Sequence, residues 1–343
     1  MTGVMKLGSA ARTTDKTPAL GTAGQYLDRA AQEAGDLPAL TFADQTLSYR
    51  ELAAKVDALA VSLIELGIKH GDRAVILMPN WHQFIVASQA VLKIGAIKIP
   101  LPIDVTPSEI AGALKQSGAK AIIMISEWNG LSLARELDNM RSKLPNLKFV
   151  MVVGQTFADM IPLRQLVRHT LPGQEVFERY FRDNPVKPDD LACITYSRGT
   201  ESIRSVLYTH KSIYGFASAC NNLGKVGEED IWLDILPLAS SLGLQYVEPC
   251  PVMSNSSAVL LESFEPAQAL SLIEKHQVTA LVAVPSVISD LLESNQLKEF
   301  DLSSLRKVFL AGSVHAKELT RRIRENIGGD VITLDAPGKM QKF

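Results

Sequence analysis

The feature of this sequence that most constrains its fold is a regular alternation of short apolar runs with amphipathic helical segments. Behind a capping box at Ser48–Glu51, apolar residues recur at steps of three and four up to Leu66, a pattern typical of one helix face. This βαβ order predicts an α/β fold in which helices flank a parallel, doubly wound sheet. The strands predicted in this part of the chain are 73–78, 96–101 and 121–125.

The same alternation resumes after residue 190, with one of the predicted helices at 242–254. We therefore predict two stacked α/β sub-domains with largely parallel sheets flanked by helices. The first spans 24–190, including a less regular connecting segment, and the second spans 191–343; residues 1–23 are predicted to be a disordered lead-in. The strands predicted in the second half are 192–196, 206–209, 231–236, 257–261, 279–283, 307–311 and 331–334.

Composition excludes several classes of protein. The 343 residues carry a net charge of −2, which offers no basic face for nucleic acid. No apolar run approaches the roughly 18 residues that span a bilayer, and the N-terminus lacks the apolar region of a signal peptide. The three cysteines, Cys193, Cys220 and Cys250, are odd in number and widely spaced. They predict buried free thiols in a reducing cytoplasm, not disulfides or a zinc site.

The strongest chemical signal is the segment ITYSRGTESIRSVLYTH at 194–210. A strand enters hydroxyl residues and a glycine, and a second short strand follows, as in loops that hold phosphates with backbone N–H groups, hydroxyls and a lysine. Glu201 lies in the middle of this loop. At about 4 Å and an effective dielectric constant of about 20, a carboxylate beside a phosphate charge costs on the order of 4 kcal/mol. The loop is therefore interpreted as either a working nucleotide site or its degenerate remnant.

Longer stretches resemble the adenylate-forming superfamily, which includes acyl-CoA synthetases, aryl and fatty acid AMP ligases, adenylation domains of peptide synthetases, and luciferases. The matching stretches are LSYRELAAKVDALA, LGIKHGDRAVILMPN, VLKIGAIKIPL, TPSEIAGALKQSGAKAII, VTALVAVPSVISDLL and LRKVFLAGSVHAKEL, in the expected order. The resemblance extends over roughly residues 24–341 and implies the fold of the family's N-terminal large domain. These stretches are mostly packing segments, so they carry little information on chemistry.

The nucleotide motif departs from the family pattern Y-T-S-G-T-T-G-x-P-K-G-V-x-x-T-H and is one residue shorter. Gly199, Thr200, Thr209 and His210 fit. Aligned from the left, Glu201 takes a threonine position and Ser202 a glycine position; aligned from the right, Arg204 takes the lysine position and Ser205 a glycine position. His210 is interpreted as a helix-start residue, with a general base as the alternative; no catalytic residue is assigned. The resemblance implies these degenerate nucleotide-binding residues: Ser197, Gly199, Thr200, Arg204 and Gly338.

Two further motifs also depart from the family. The family's P-L-F-H-x-x-G, which borders its acyl pocket, here has alanine and serine in place of the aromatic residue and the histidine. The family's Y-G-x-T-E ends in Gln341, a poor donor for a hard cation and only a weak candidate metal ligand. The acyl-pocket residues implied by the resemblance are Leu238, Ala239, Ser240, Gly243, Ala311, Gly312 and Ser313.

Together these departures predict a truncated, non-catalytic homologue of an ATP-dependent acyl-CoA or acyl-AMP ligase of the fatty acid metabolism type. Its expected ligand is a carboxylic acid, an acyl thioester or a partner protein, with no cofactor. Two alternatives stay open. One is an active ligase that adenylates a hydrophobic carboxylic acid with ATP and Mg²⁺ and needs a partner chain. The other is a regulatory or structural subunit of a full-length ligase.

The family's barrel sub-domain and C-terminal domain have no counterpart before residue 343. In the family these domains supply a ribose-binding aspartate and a lysine that promotes adenylation. We therefore expect a second copy of the chain or a partner protein to cover the surface that they would otherwise cover.

Overall fold

Two seven-stranded sheets form the framework of the protein. The computed structural model describes residues 21–167, 174–197, 204–311 and 317–334. The strands are β1 (Pro38–Phe42), β2 (Gln45–Ser48), β3 (Arg73–Leu77), β4 (Ile97–Pro100), β5 (Ala121–Ile125), β6 (Phe149–Val153), β7 (Ile161–Pro162), β8 (Leu191–Ser197), β9 (Arg204–Thr209), β10 (Ile231–Asp234), β11 (Ser257–Leu260), β12 (Ala280–Ala283), β13 (Lys307–Ala311) and β14 (Asp330–Leu334). The helices are α1 (Ala23–Glu33), α2 (Tyr49–Glu65), α3 (His82–Lys93), α4 (Pro107–Ser117), α5 (Leu133–Met140), α6 (Leu163–Leu166), α7 (Gln174–Asp183), α8 (His210–Gly224), α9 (Pro249–Ser254), α10 (Pro266–His276), α11 (Pro285–Leu292) and α12 (Lys317–Asn326).

The strand order of the first sheet is β7-β6-β5-β3-β4-β8-β9, and that of the second is β14-β13-β12-β10-β11-β1-β2. Within the described ranges, only the β1–β2 and β8–β9 pairs are antiparallel. The predicted α/β fold with largely parallel sheets is confirmed. Parallel neighbours need a crossover connection, and the helices between successive strands provide it.

Local sequence signals account for the helix boundaries near the first sheet. Ser48 and Glu51 form the predicted capping box at the start of α2, and Thr106 and Glu109 form the second one at α4. Each box satisfies amide N–H groups that a helix start otherwise leaves unpaired. Gly118 ends α4 in the left-handed conformation, with φ of 60°, a backbone state that glycine adopts without steric cost.

The strands do not divide between the sheets at the predicted boundary of residue 190. Strands β8 and β9 belong to the first sheet, where Lys98 of β4 pairs with Cys193 of β8. Strands β1 and β2 belong to the second sheet, where Leu40 pairs with Ala258 of β11. Local patterning indicates that a segment is a strand, but it does not identify the strand's hydrogen-bonding partner, so the sequence boundary missed this exchange.

The structure differs from the predicted disordered lead-in, 1–23, at the last three residues of that segment. Residues 1–20 lie outside the described residues, whereas Gly21 to Ala23 lie within them. Thr22 caps α1 and Ala23 begins it, both of them buried. The predicted disordered lead-in therefore extends too far along the chain, because its boundary overlooks Thr22 and Gln25 as a capping box.

The predicted helix at 242–254 is two elements. Gly243–Val247 forms a π-helical turn, in which the N–H of Glu248 donates to the Gly243 carbonyl at 3.0 Å. The α-helix α9 then begins at Pro249. Proline has no backbone N–H, which favours it at the first position of a helix and opposes it in the interior. The helix therefore restarts at this residue.

Helices α1, α2 and α3 pack together beside the sheets. The ammonium of Lys93 on α3 donates to Asp28 on α1 at 2.6 Å and to Asp57 on α2 at 2.5 Å, joining all three helices. The three cysteines are buried free thiols, as predicted. In the part of the chain that the structure describes, no helix is long and apolar enough to cross a bilayer.

Candidate functional site

The predicted phosphate loop falls on the connection between β8 and β9, which we call the turn. The antiparallel ladder runs out to the pair Ser197 and Arg204, so six residues, 198–203, connect the two strands. Gly199, Thr200 and Glu201 lie in this turn, outside the described residues. Ser197 and Arg204 therefore face each other at the base of the turn through their backbones. Gly338 and Gln341, the other residues predicted on the nucleotide side, also lie outside the described residues.

His210 begins α8 directly after the hairpin. Its Nδ1 accepts a hydrogen bond from the backbone N–H of Ala23 at 3.3 Å, and the ring is fully buried. Burial lowers the pKa of His210 to about 4, so the ring is neutral at pH 7 and its proton resides on Nε2. This contact ties the start of α1 to the start of α8 and agrees with a structural helix-start role.

The segment after β10, residues 236–243, matches the predicted acyl-side motif. We call it the acyl-side segment. Asn80, in the loop after β3, holds it with two hydrogen bonds: its Nδ2 donates to the Leu236 carbonyl and its Oδ1 accepts from the Leu238 N–H, both at 2.9 Å. Asn80 is buried. The Asn80 side chain, which follows strand β3 of the first sheet, therefore fixes the backbone of a segment that follows strand β10 of the second sheet.

Close packing fixes the other end of the acyl-side segment. The hydroxyl of Ser240 accepts from the Gly243 N–H at 2.9 Å. A Cβ added at Gly243 would lie 2.3 Å from the Pro237 carbonyl oxygen and 2.7 Å from the Leu238 Cα. Only glycine therefore fits here without displacing backbone. The π-helical turn that starts at Gly243 is a rare geometry that is frequent at functional sites.

The predicted acyl-pocket residues differ in what they present to a ligand. Leu238 and Ala311 are completely buried at 0% exposure, so both are packing residues. Ala239 and Ser240 are half-buried and accessible at one face. Gly312 and Ser313 lie outside the described residues. Of the described candidates, Ala239 and Ser240 are the side chains that a ligand could reach.

The π-helical turn also contacts the hairpin and the helix that follows it. Gln245 donates from its Nε2 to the Tyr208 hydroxyl of β9 at 3.2 Å. The rings of Phe216 on α8 and Tyr246 pack edge to face, with centroids 6.4 Å apart. The acyl-side segment and the β8–β9 hairpin are thus parts of one packed region.

A buried ion pair anchors this region from behind, and sequence reasoning missed it. The ammonium of Lys98, in the middle of β4, contacts a Glu248 carboxylate oxygen at 2.5 Å and the Ser88 hydroxyl at 2.6 Å. Glu248 also accepts from the Gln89 amide at 2.8 Å. The side chains of Lys98 and Glu248 are 0% and 2% exposed. A lysine inside the apolar run AIKIPL was the one available signal, and it did not identify the partner.

Asp234, the last residue of β10, is a second buried carboxyl group that the sequence did not single out. Burial, together with the negative charge of Glu248, raises the pKa of Asp234 well above its ordinary range. Within the described ranges, no cluster of three or more histidine, cysteine or acidic side chains could hold a metal ion.

Comparison with known proteins identifies the family. The family model described as AMP-binding enzyme matches residues 27–334, so the chain belongs to the AMP-binding enzyme family. Curated relatives include 3-[(3aS,4S,7aS)-7a-methyl-1,5-dioxo-octahydro-1H-inden-4-yl]propanoyl:CoA ligase of Mycobacterium tuberculosis, 27% identical over 91% of this chain and 61% of the relative. The 2,3-dihydroxybenzoate-AMP ligase of Bacillus subtilis is 28% identical over 90% of this chain and 55% of the relative.

Solved structures share the fold. The anthranilate CoA ligase AuaEII in complex with anthranoyl-AMP superposes with a TM-score of 0.81 at 20% identity, covering 94% of this chain and 60% of that chain. The N-terminal domain of FACL13 from Mycobacterium tuberculosis gives a TM-score of 0.78 at 22% identity, covering 92% and 76%. The fold is that of the large domain of acyl-adenylating enzymes, and the chain spans little more than half the length of the curated relatives described above.

Proposed function

We propose that this chain binds a hydrophobic carboxylic acid or its acyl thioester and does not itself form an acyl-adenylate. The observation that carries the proposal is the contrast between the two sides of the site. The acyl-side segment keeps its frame through Asn80 and Gly243. On the nucleotide side, Glu201, Ser202 and Gln341 replace residue types that favour a phosphate and its metal ion.

On the acyl side, the family's aromatic and histidine positions hold Ala239 and Ser240. Both are smaller than the residues that they replace, and both are accessible. Smaller side chains at a pocket wall leave more room for an apolar body. Two of the relatives' named substrates, 4-coumarate and 2,3-dihydroxybenzoate, are carboxylic acids with an aromatic ring, whereas the name of the Mycobacterium tuberculosis relative gives a saturated bicyclic propanoyl group. An aryl acid is therefore the first ligand to test.

On the nucleotide side, Glu201 and Ser202 occupy positions that favour a hydroxyl and a glycine. A carboxylate repels phosphate oxygens, and serine restricts the close backbone approach that glycine allows. The metal position of the family motif holds Gln341, a neutral donor that binds a hard cation less well than a carboxylate does. ATP and Mg²⁺ are therefore not cofactors under this proposal.

A second candidate is an active ligase that adenylates a hydrophobic carboxylic acid with ATP and Mg²⁺ and works together with a partner chain. Gly199, Thr200 and the Thr209-His210 pair still match the family motif, and the curated relatives named above are called ligases. A third candidate is a subunit that docks on a full-length ligase. Strand β14 supports it, because among the described strands it lies at the end of its sheet, paired with β13 alone, and an unpaired strand edge invites pairing.

Calorimetry and a pyrophosphate assay separate the candidates. We expect 4-coumarate to bind without ATP, Mg·ATP to bind weakly or not at all, and pyrophosphate release to stay at background. The variant Ala239→Trp should remove acid binding at the acyl-side segment. A Mg·ATP dissociation constant in the low micromolar range, with acid-dependent pyrophosphate release, would establish the ligase instead. Co-purification with a longer ligase chain would support the subunit.

A further inference from the structure

A separate cavity of about 370 Å³ lies where α2, α3 and α6 meet the carboxyl end of β6. None of the residues predicted for the nucleotide or acyl sites lines it. Its volume falls in the range of small-molecule sites, roughly 300–1,000 Å³. We call it the α3 cavity.

The polar lining of the α3 cavity carries positive charge. Lys55 of α2 and Arg164 of α6 both line it, and among the described residues no aspartate or glutamate does. Neither cation forms an ion pair with a described acidic residue. The charge of Lys55 reaches His82 across the cavity lining, where it adds to burial in lowering the pKa of that ring. The described walls of the cavity therefore hold two cations and no carboxylate; Glu51, one turn before Lys55 on α2, interacts with the Lys55 charge from outside the lining.

The start of α3 adds to this field. His82 and Gln83, the first two residues of the twelve-residue helix, both line the cavity. Trp81 at the N-cap provides no side-chain cap hydrogen bond. A helix N-terminus carries a partial positive charge and unpaired N–H groups, which together favour an anion. The Gln83 side-chain oxygen is buried without a hydrogen-bond partner among the described residues; because it is an acceptor, it does not bind an anion, which only donor groups can hold.

The remaining walls of the cavity are apolar. Val86 of α3, Val152 and Val153 of β6, and Leu163 and Val167 beside α6 supply them. A bare inorganic anion would leave these walls uncovered. A molecule with one anionic end and an apolar body would satisfy both parts of the lining.

We propose that the α3 cavity is a second binding site, specific for a small apolar monocarboxylate, whose carboxylate is held by Lys55, Arg164 and the start of α3. The site is distinct from the acyl-side segment, and the proposal does not depend on the function proposed above. Octanoate is a suitable probe, with 1-octanol as its neutral analogue and inorganic phosphate as an anion without an apolar body.

Titration calorimetry on the full chain tests the proposal. For octanoate we expect binding that weakens at least fivefold in Lys55→Ala and in Arg164→Ala, and that is lost from this site in the double variant. Val153→Trp should block the site by filling its apolar wall. Lys211→Ala is the matched control: Lys211 is exposed and pairs with Asp189 away from the cavity, so octanoate affinity should not change. Thermal unfolding of each variant checks that the fold is intact.

A further variant separates this site from the acyl-side segment. Ala239→Trp should leave binding at the α3 cavity unchanged. If Ala239→Trp abolishes all octanoate binding while the Lys55 and Arg164 variants do not affect it, the second site does not exist, and the function proposed above still stands. Equal binding of 1-octanol would overturn the role of the cations, and equal binding of phosphate would overturn the role of the apolar walls.

Discussion

The acyl-side segment and the β8–β9 hairpin both correspond to family motifs, but different kinds of contact preserve them. The acyl-side segment is held by backbone contacts, through Asn80 and the close packing at Gly243. The hairpin keeps its strand ladder up to Ser197 and Arg204, and its sequence changes fall in the turn. Packing residues and ligand-contacting residues are different residues, so a fold can retain its frame while its chemistry changes.

The largest expected effect concerns the buried ion pair behind the acyl-side segment. Lys98→Met removes a buried cation and leaves the Glu248 carboxylate buried without its charge partner. An unpaired buried charge costs about 3–5 kcal/mol, so the free energy of unfolding in urea should fall by that amount. The double variant Lys98→Met with Glu248→Leu should recover most of the loss. A single-variant loss below about 1 kcal/mol would contradict the burial of this pair.

The next effect is a dependence of stability on pH, and it concerns His210, directly after the β8–β9 hairpin. Burial lowers the pKa of His210 to about 4 in the folded chain, from 6.5. As pH falls, His210 is therefore protonated in the unfolded chain before it is protonated in the folded chain. This protonation stabilises the unfolded chain relative to the folded chain. The contribution of the neutral ring is fully present above about pH 6.5 and is lost as pH falls to about 4.

Over that window the loss is on the order of 3 kcal/mol. The check is urea unfolding at several pH values for the natural chain and for His210→Asn, in which an amide oxygen can replace Nδ1 as the acceptor. The difference in free energy of unfolding between the two chains should shrink as pH falls. Groups that titrate in both chains contribute equally and cancel in this difference. A difference that does not vary with pH would show that His210 is not the titrating group.

A third test compares two glycines. Gly243→Ala places a Cβ 2.3 Å from the Pro237 carbonyl oxygen, and such overpacking typically costs about 1–3 kcal/mol. Gly112→Ala is the matched control, because it lies inside α4 with nothing within 4 Å of the added Cβ. That change should stabilise the chain by up to about 1 kcal/mol. Similar thermal shifts for both variants would refute the tight packing of the acyl-side segment.

The smallest expected effect concerns Glu201, between β8 and β9, and is measured as a change in Mg·ATP affinity. Glu201→Thr restores a hydroxyl to the turn and removes a charge that repels phosphate, so Mg·ATP affinity should rise by about tenfold, or ~1.4 kcal/mol. Glu228→Thr, at an exposed glutamate outside the turn, is the control. Titration calorimetry measures both variants. No change in Glu201→Thr would place the loss of nucleotide binding elsewhere, with Pro337–Gln341 as the next segment to repair.

Several parts of the site were predictable because their signals are local. The capping boxes at Ser48 and Thr106 predicted the starts of two helices, and the motif after β10 identified the acyl-side segment. Its internal geometry was less accessible: Leu238 matches the motif but is a packing residue, and Asn80 had no signal of its own. A motif aligns positions along the chain and does not indicate which side chains turn toward a ligand.

The sequence by itself determined the α/β class, the order of most helices and strands, and the family, because periodicity, caps and motif spacing all act over a few neighbouring residues. The tertiary structure decided which strands share a sheet, so that β8–β9 joined the first sheet and β1–β2 the second. It also decided that Lys98 meets Glu248, 150 residues further along the chain. Strand partners and buried ion pairs depend on how distant segments pack, and a local pattern carries no information on that packing.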